Sequence, residues 1–258
     1  MDYRAHNRRA WDLQVAAGNP WTIPASPEAV AKARLGDPGI VLTPLKTVPM
    51  AWYPPLKGCP TLCLASGGGQ QGPLLAAAGA VVTVLDNSPG QLDRDREVAQ
   101  REHLNLTTVL GDMEDLSPFA DGQFSLIVHP VSNIFTPHVA RVWQEAARVL
   151  APGGVLLAGL CNPVLSLFDP LPAEKGQFIL RFSLPYSDID SLTPEQRAAY
   201  FGQDAPVEWS HTLELLIGGQ MEAGLALTGF YEDYWGGDHP IDRHLPVFFA
   251  TRAVKSSA

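Results

Sequence analysis

The chain has little charge, and positive charge is especially scarce. Of its 258 residues, 17% are charged, and 27 Asp and Glu against 18 Lys and Arg leave a formal net charge of -9. No Lys/Arg-rich block offsets this excess of negative charge. The sequence therefore contains nothing that would attract a nucleic-acid backbone or an anionic membrane surface. We therefore expect neither a nucleic acid nor a membrane as the partner.

Cysteines and long apolar runs are scarce as well. Cys59, Cys63 and Cys161 are odd in number and match neither a disulfide framework nor paired C-x-x-C zinc ligands. The opening MDYRAHNRRAWDLQ lacks the apolar core of a secretory signal, and no run of about 18 apolar residues occurs. We expect reduced thiols, no metal site and a cytoplasmic protein.

Familiar catalytic motifs are also missing. The sequence has no G-x-S-x-G nucleophile elbow, no Walker G-K-[ST] loop and no H-E-x-x-H helix. Serine hydrolase, P-loop and zinc-protease chemistry are therefore disfavoured.

What the chain does contain is an alternation of strand and helix signals. Apolar runs of strand length occur at Leu62 to Ala65, Val81 to Leu85, Thr107 to Leu110, Phe124 to Val128 and Val155 to Leu160. Ser-Pro or Thr-Pro pairs at 26, 88, 136 and 193 predict helix starts, because the hydroxyl accepts a free amide hydrogen and proline has none. Strands that are apolar on both faces and alternate with helices are typical of a doubly wound, mostly parallel α/β sheet.

Two regions lack this alternation. Residues 1–56 are rich in Trp, Pro and Ala, with one clear helix from Ser26 to Leu35, and residues 163–208 are longer than an ordinary connection. We interpret 1–56 as a covering segment of the same domain, and about 163–208 as a lid-like insertion in a domain spanning 57–258. The stretches LALTGFYEDYW and HLPVFFATRAV predict a final pair of strands.

A glycine-rich stretch, TLCLASGGGQQGP, follows the first predicted strand. Its glycines at 67, 69 and 72 spell G-x-G-x-x-G, and Asp86 ends the second strand 19 residues beyond Gly67. In open α/β sheets, ligands bind outside the carboxyl ends of the strands, and an acidic residue there can accept hydrogen bonds from ribose hydroxyls. The glycine loop and Asp86 together predict a ligand that contains adenosine, either a dinucleotide or another cofactor.

Two later features distinguish between these cofactors. In LGDMEDL, after the third strand, Asp112 can accept from an adenine amino group and Met113 can pack on the ring. A Pro-Gly-Gly turn, in RVLAPGGVLLAG, precedes the fifth strand. Together with the glycine loop and Asp86, this order resembles the class I S-adenosylmethionine-dependent methyltransferases, closely over about residues 60–162 and more loosely to the C-terminus. The resemblance implies a Rossmann-like seven-stranded sheet with an antiparallel C-terminal strand, and S-adenosylmethionine as cofactor.

The resemblance also implies which residues bind the cofactor. The methionine part would contact Ala65, Ser66, Gly67, Gly69 and Gln70; the ribose Asp86, Asn87 and Ser88; the adenine Asp112, Met113 and Glu114; and His129 would lie near the sulfonium. The loop departs from the family at Cys63 and Ala65, where an acidic residue and a glycine are usual. The contact of that acid with the cofactor's ammonium must therefore be replaced or absent.

A catalytic base is optional, because the sulfonium already activates the methyl group and the protein chiefly aligns the reactants. The candidates are His129, at the end of the fourth strand, and His211, on a predicted amphipathic helix where a packed structural role is favoured. The sequence predicts a methyltransferase that acts on a small-molecule acceptor. Two alternatives remain: a nicotinamide-dependent oxidoreductase, which Pro73 disfavours because it requires the helix to begin near Gly72, and a non-catalytic S-adenosylmethionine-binding protein, which the departures at 63 and 65 would suit.

Overall fold

A single seven-stranded sheet forms the centre of the molecule. The computed structural model describes residues 1–237 and 239–256; Asp238, in the predicted loop between the last two strands, and residues 257–258, at the end of the predicted domain, lie outside the described residues. Nine strands are described: β1 Pro60–Leu64, β2 Val81–Asp86, β3 Leu106–Leu110, β4 Phe124–His129, β5 Leu150–Cys161, β6 Tyr186–Ser187, β7 Trp209–Ser210, β8 Leu225–Asp233 and β9 Phe248–Lys255.

The order of the large sheet is β3-β2-β1-β4-β5-β9-β8, and β6 and β7 form a separate antiparallel pair. Strands β1 to β5 are parallel, whereas β9 runs antiparallel to both β5 and β8. The predicted doubly wound sheet with an antiparallel C-terminal strand is confirmed. The Pro-Gly-Gly turn forms an irregularity within β5, where pairing with β4 skips from Leu150 to Val155.

Helices cover both faces of this sheet. They are α1 Tyr3–Ala16, α2 Pro27–Ala33, α3 Gln71–Ala77, α4 Pro89–Glu102, α5 Val139–Val149, α6 Pro170–Ala173, α7 Asp188–Ser191, α8 Pro194–Phe201 and α9 Gly219–Glu222, with a π-helical turn at Glu214–Gly218. On one face α5 buries Trp143 against Leu62 and Leu64, and on the other α4 packs near Cys63. This division follows from the strand period, since neighbouring side chains of β1 point to opposite faces.

The four helix starts predicted from Ser-Pro and Thr-Pro pairs can be compared with the observed ones. Ser26, Ser88 and Thr193 each accept an amide hydrogen bond in the first helical turn, at 3.1–3.2 Å, as predicted. The prediction at Thr136 is wrong: α5 begins at Val139. The Thr136 hydroxyl donates instead to the buried Glu114 carboxylate and accepts from the His138 amide, so it is engaged before the helix starts.

Two regions outside the large sheet contain helices of their own. Helix α1, which the sequence reading did not identify, is capped by Asp2, whose carboxylate accepts from the Ala5 amide at 3.1 Å. The α6-to-α8 region, with β6, falls within the predicted insertion 163–208. Throughout the described part of the chain, no helix has both the length and the apolar character needed to cross a bilayer.

Candidate cofactor and acceptor site

A cavity of about 410 Å³ follows the carboxyl edge of the sheet. Its walls include Asp112 after β3, Asp86 at the end of β2 and Ala65 after β1, and they continue to Cys161 at the end of β5 and Phe248 at the start of β9. The strands lie in that spatial order, so the cavity passes from a polar half at β3, β2 and β1 to an apolar half at β4, β5, β9 and β8. This is the edge at which open α/β sheets bind ligands.

The glycine loop forms the middle of the cavity wall. Ala65 adopts φ +47°, a left-handed conformation that favours glycine, which explains why the family usually has glycine there. A Cβ on Gly67 would lie 2.7 Å from the Gln91 Cβ and 3.0 Å from Asp86 Oδ2. The close approach of β2 and α4 therefore requires glycine at position 67.

Asp86 is half-buried and anchors this loop. Its Oδ2 accepts from the Gly67 amide and its Oδ1 from the Ser88 amide, each at 2.9 Å. Burial raises the pKa of Asp86, while these amide hydrogen bonds oppose the rise. A carboxylate has about four lone-pair sites, so two remain for hydroxyl groups of a ligand.

Asp95 is a second anchor, which the sequence reading missed. It lies on α4 and is fully buried, and its Oδ2 accepts from the Gly68 amide at 3.1 Å. Burial raises the pKa of Asp95 well above its usual value, and burial, then Asp95, likewise raise the pKa of the Cys63 thiol on β1. A signal existed, because Asp95 interrupts a buried stripe between Leu92 and Val98 at a spacing of three residues.

The side of the cavity that follows β3 is held to α1 by hydrogen bonds and ion pairs. Arg4 forms ion pairs with Asp112 and, at 2.5 Å, with Glu114, and the Tyr3 hydroxyl donates to Glu114 at 2.6 Å. Glu114 is only 2% exposed and also accepts from Thr136. Its carboxylate therefore holds α1 in place, whereas Asp112 and Met113 keep contact with the cavity.

The predicted cofactor-binding residues divide into two groups. Those that line the cavity are Ala65, Ser66, Gly67, Gln70, Asp86, Asn87, Asp112, Met113 and Glu114. Gly69 packs beside the Arg94 carbonyl, and Ser88 caps α4 while donating to Asp12 at 2.6 Å, so these two lie behind the wall.

The two candidate bases lie away from the cavity wall. His129 is fully buried, with Nδ1 2.9 Å from the Leu64 carbonyl oxygen and its ring edge-on to Trp143. Burial lowers the pKa of His129 to about 4. These contacts support a structural role, and the ring does not line the cavity as the resemblance implied.

His211 is also packed rather than presented to the cavity. It follows β7, and the helical turn begins only after it, so the predicted helix placement is wrong. Its Nε2 lies 3.2 Å from the Asn133 carbonyl oxygen, and burial lowers the pKa of the ring.

The apolar half of the cavity is lined by aromatic side chains from distant parts of the chain. Trp235, just beyond β8, meets Phe248 edge-on at 4.6 Å, and Trp11 of α1 meets Phe135 in the same way at 5.3 Å. Glu208, from the segment before β7, is the carboxylate in this half. The sequence reading missed Trp235, Phe248 and Glu208 because their elements meet only in the fold.

Comparisons with known proteins identify the family. A family model described as a methyltransferase domain matches residues 62–158. The chain is 47% identical over 251 residues to YbaJ, an uncharacterized methyltransferase of Bacillus subtilis (strain 168), and the match covers 97% of this chain and 98% of that protein.

Solved structures share the fold. An S-adenosylmethionine-dependent methyltransferase from Mesorhizobium loti aligns with a TM-score of 0.60 at 18% identity, over 80% of this chain and 94% of its own. The 1,6-didemethyltoxoflavin-N1-methyltransferase of Burkholderia thailandensis, solved with bound 1,6-didemethyltoxoflavin and S-adenosylhomocysteine, aligns with a TM-score of 0.59 at 13% identity, over 99% of this chain and 89% of its own. With the full-length relative and the matched domain, these findings show that the chain belongs to the class I S-adenosylmethionine-dependent methyltransferases.

Proposed function

We propose that this protein transfers the methyl group of S-adenosylmethionine to a small organic acceptor. One observation carries the proposal: a single continuous cavity joins the polar strand ends at Asp112 and Asp86 to the aromatic half at Phe248 and Trp235. Such a cavity can hold a cofactor and an acceptor end to end, which an in-line displacement requires.

The polar half fits the cofactor. Asp86 keeps lone pairs for the ribose hydroxyls after binding the amides of Gly67 and Ser88. In our proposal Asp112 accepts from the adenine amino group, and Met113 packs on the ring. The cofactor supplies a methyl group already activated by the sulfonium charge, so the protein's task is to bind and align.

Asp95 supports the glycine loop from α4 but does not line the cavity, so it does not replace the acid that is usual at position 63. The buried carboxylate reaches the Gly68 amide from α4, on the side of the loop where Cys63 lies. For the cofactor's ammonium we propose the Gln70 side-chain oxygen as acceptor; Gln70 lines the cavity, and its side-chain nitrogen donates to the Ile23 carbonyl at 3.0 Å.

The acceptor is proposed to bind beneath the cover formed by α1 and the insertion. Asn7 of α1 donates to the Val207 carbonyl at 3.0 Å and accepts from the Val207 amide at 2.7 Å, which joins the two covering segments. The net charge of -9 supports a small molecule over a nucleic acid. The free thiols of Cys59, Cys63 and Cys161 support a cytoplasmic location.

Calorimetric titration with S-adenosylhomocysteine, S-adenosylmethionine and NAD tests the proposal. We expect both sulfur compounds to bind and NAD to bind far more weakly. Preferential binding of NAD would favour an oxidoreductase. Cofactor binding without methyl transfer to any member of a broad acceptor panel would favour a non-catalytic binding protein.

A further inference from the structure

The described part of the cavity holds one carboxylate, that of Glu208, that neither the proposed cofactor contacts nor the contacts with α1 use. Pro206 and Glu208 both line the cavity, whereas Val207 between them is fully buried. This alternation is that of an extended segment, in which every second side chain points to the same side. The backbone therefore directs Glu208 into the cavity.

Two sets of hydrogen bonds fix this segment. The Glu208 amide donates to Asp188 Oδ2, and the Asp188 amide donates to the Glu208 carbonyl, each at 3.0 Å. Asn7 of α1 binds both backbone groups of Val207. Because its neighbours are held on both sides, Glu208 has little freedom to leave the cavity wall.

The Glu208 carboxylate is left without a partner of its own. Among residues 1–237 and 239–256, no donor is within hydrogen-bonding distance of its oxygens and no cation forms an ion pair with it. The Glu208 side chain is exposed at the cavity wall, yet desolvation by the protein around it, and then the charge of Asp188, raise the pKa of Glu208 to about 7, while Arg197 opposes the rise. A carboxylate of this kind can bind a cation and can also take up a proton near neutral pH.

The surroundings of Glu208 define what it can bind. Burial, and then the charge of Glu208, raise the pKa of the Cys161 thiol, so that thiol stays protonated. The aromatic rings of Trp235 and Phe248 line the same half of the cavity. Across the whole cavity, Asp86, Asp112, Glu114 and Glu208 face a single cationic side chain, that of Arg4. This excess of negative charge disfavours anionic acceptors, and aromatic walls favour a cation attached to an apolar body.

We propose that Glu208 binds an amine acceptor carried on a flat apolar body and takes its proton. The inference rests on the proposed methyltransferase function. An N–H proton of the bound ammonium passes to the Glu208 carboxylate, which frees the nitrogen lone pair. That lone pair forms the new N–CH₃ bond as the C–S bond breaks, and the electron pair of the broken bond stays on sulfur, leaving a neutral thioether and a methylated ammonium ion.

Binding of two matched probes tests the inference. We use 2-naphthylmethylamine and 2-naphthoate, which share a ring system and carry opposite charges, on protein saturated with S-adenosylhomocysteine. The wild type should bind the amine about tenfold more tightly than the carboxylate. Glu208→Gln should remove this preference, whereas Glu195→Gln, an exposed carboxylate on α8 of the same insertion, should leave it intact.

A pH series distinguishes proton uptake from a purely structural role. Between about pH 6 and pH 8 the wild type should bind the amine more tightly as Glu208 ionises, and Glu208→Gln should show a flat profile. The other titratable groups facing this segment are unchanged in both proteins, so the difference reports Glu208; they are His6 of α1, which contacts the Ala205 carbonyl, and Asp188, Arg197, Tyr186 and Cys161.

The outcomes separate this inference from the function on which it rests. Failure of S-adenosylhomocysteine to bind the wild type would overturn the proposed function. Normal S-adenosylhomocysteine binding would overturn the role of Glu208 alone if the wild type showed no amine preference, if the Gln variant kept that preference, or if neither probe bound at about 1 mM.

Discussion

The two halves of the cavity are built in different ways. The polar half takes its walls largely from one stretch of chain, the loop after β1 and the ends of β2 and β3, within residues 65–114. The apolar half draws on residues as far apart as Val131, Cys161, Glu208, Trp235 and Phe248. The half built from local sequence matches the family pattern, and the half built from remote segments is where we propose that the acceptor binds.

Removing the Asp86 carboxylate should have the largest effect, and it should be confined to the polar half. Asp86→Ala should weaken S-adenosylhomocysteine binding by about 1.5–3 kcal/mol, the scale for hydrogen bonds to a charged group. Calorimetry measures the change, with Asp93→Ala on the exposed face of α4 as the control. Unchanged affinity in Asp86→Ala would remove the proposed ribose contact.

His129 lies beneath the junction of the two halves, and its effect should be on stability. Its pKa is lowered from 6.5 to about 4, so below pH 6.5 the unfolded chain binds a proton that the folded chain does not. The free energy of unfolding should therefore fall as the pH drops, by about 2 kcal/mol at pH 5.

Urea unfolding at neutral pH and at about pH 5 measures this loss. His129→Asn should flatten the dependence, and the exposed His103→Asn should not. Residual dependence in His129→Asn is expected from His211, whose pKa is also lowered by burial. A loss of S-adenosylhomocysteine affinity in His129→Asn without loss of stability would instead point to a role in the site.

Substitution of Asp95 tests whether the glycine loop in the polar half depends on a hydrogen bond from helix α4. Asp95→Ala removes one of the two acceptors of the Gly68 amide, which also donates to the Gln91 carbonyl at 3.0 Å, and should weaken S-adenosylhomocysteine binding by about 1 kcal/mol. Asp95→Asn retains an oxygen acceptor and should restore most of that affinity. Equal affinities in the two variants would mean that this hydrogen bond does not position the loop.

The smallest expected effect on the cofactor is that of Trp235→Ala, in the apolar half. Trp235 follows β8, four strand positions from β1 and so about 19 Å away. We expect S-adenosylhomocysteine affinity to change by less than about twofold, while loss of the Phe248 contact lowers stability by about 1 kcal/mol. Trp52→Ala, which removes a stack on Tyr231 outside the cavity, is the matched control. A large loss of affinity in Trp235→Ala alone would show that the halves are not independent.

The parts of the fold that the sequence predicted are those with local causes. Alternating apolar runs located the five parallel strands, and the hydroxyl caps at Ser26, Ser88 and Thr193 marked three helix starts. The fourth cap failed because Glu114, 22 residues away, takes the Thr136 hydroxyl. A hydrogen bond between the Thr136 hydroxyl and a carboxylate that is distant in sequence cannot be predicted from the residues around Thr136.

The candidate site shows the same division. Ala65, Asp86 and Asp112 lie at or just after the ends of strands, which predicted that they would be close together. All three line one cavity. The same reasoning predicted His129 in the site. Successive side chains of a strand point to opposite faces of the sheet, so the last one can be buried in the core instead of lining the cavity. Helix α1 was missed because its largely polar sequence gives a weak apolar stripe, and the partners of Arg4 and Asn7 lie more than 100 residues along the chain.

Helix α1 contacts both halves of the structure around the cavity. Arg4 forms ion pairs with Asp112 and Glu114, and Asn7 forms a hydrogen bond with Val207. A displacement of this one helix would therefore alter the adenine side and the acceptor side together. If either ligand binds better to one position of α1, thermodynamic linkage requires each ligand to change the affinity of the other by the same factor. Cooperativity between the two substrates would then arise in residues 3–16, in a helix that belongs to neither the glycine loop nor the sheet.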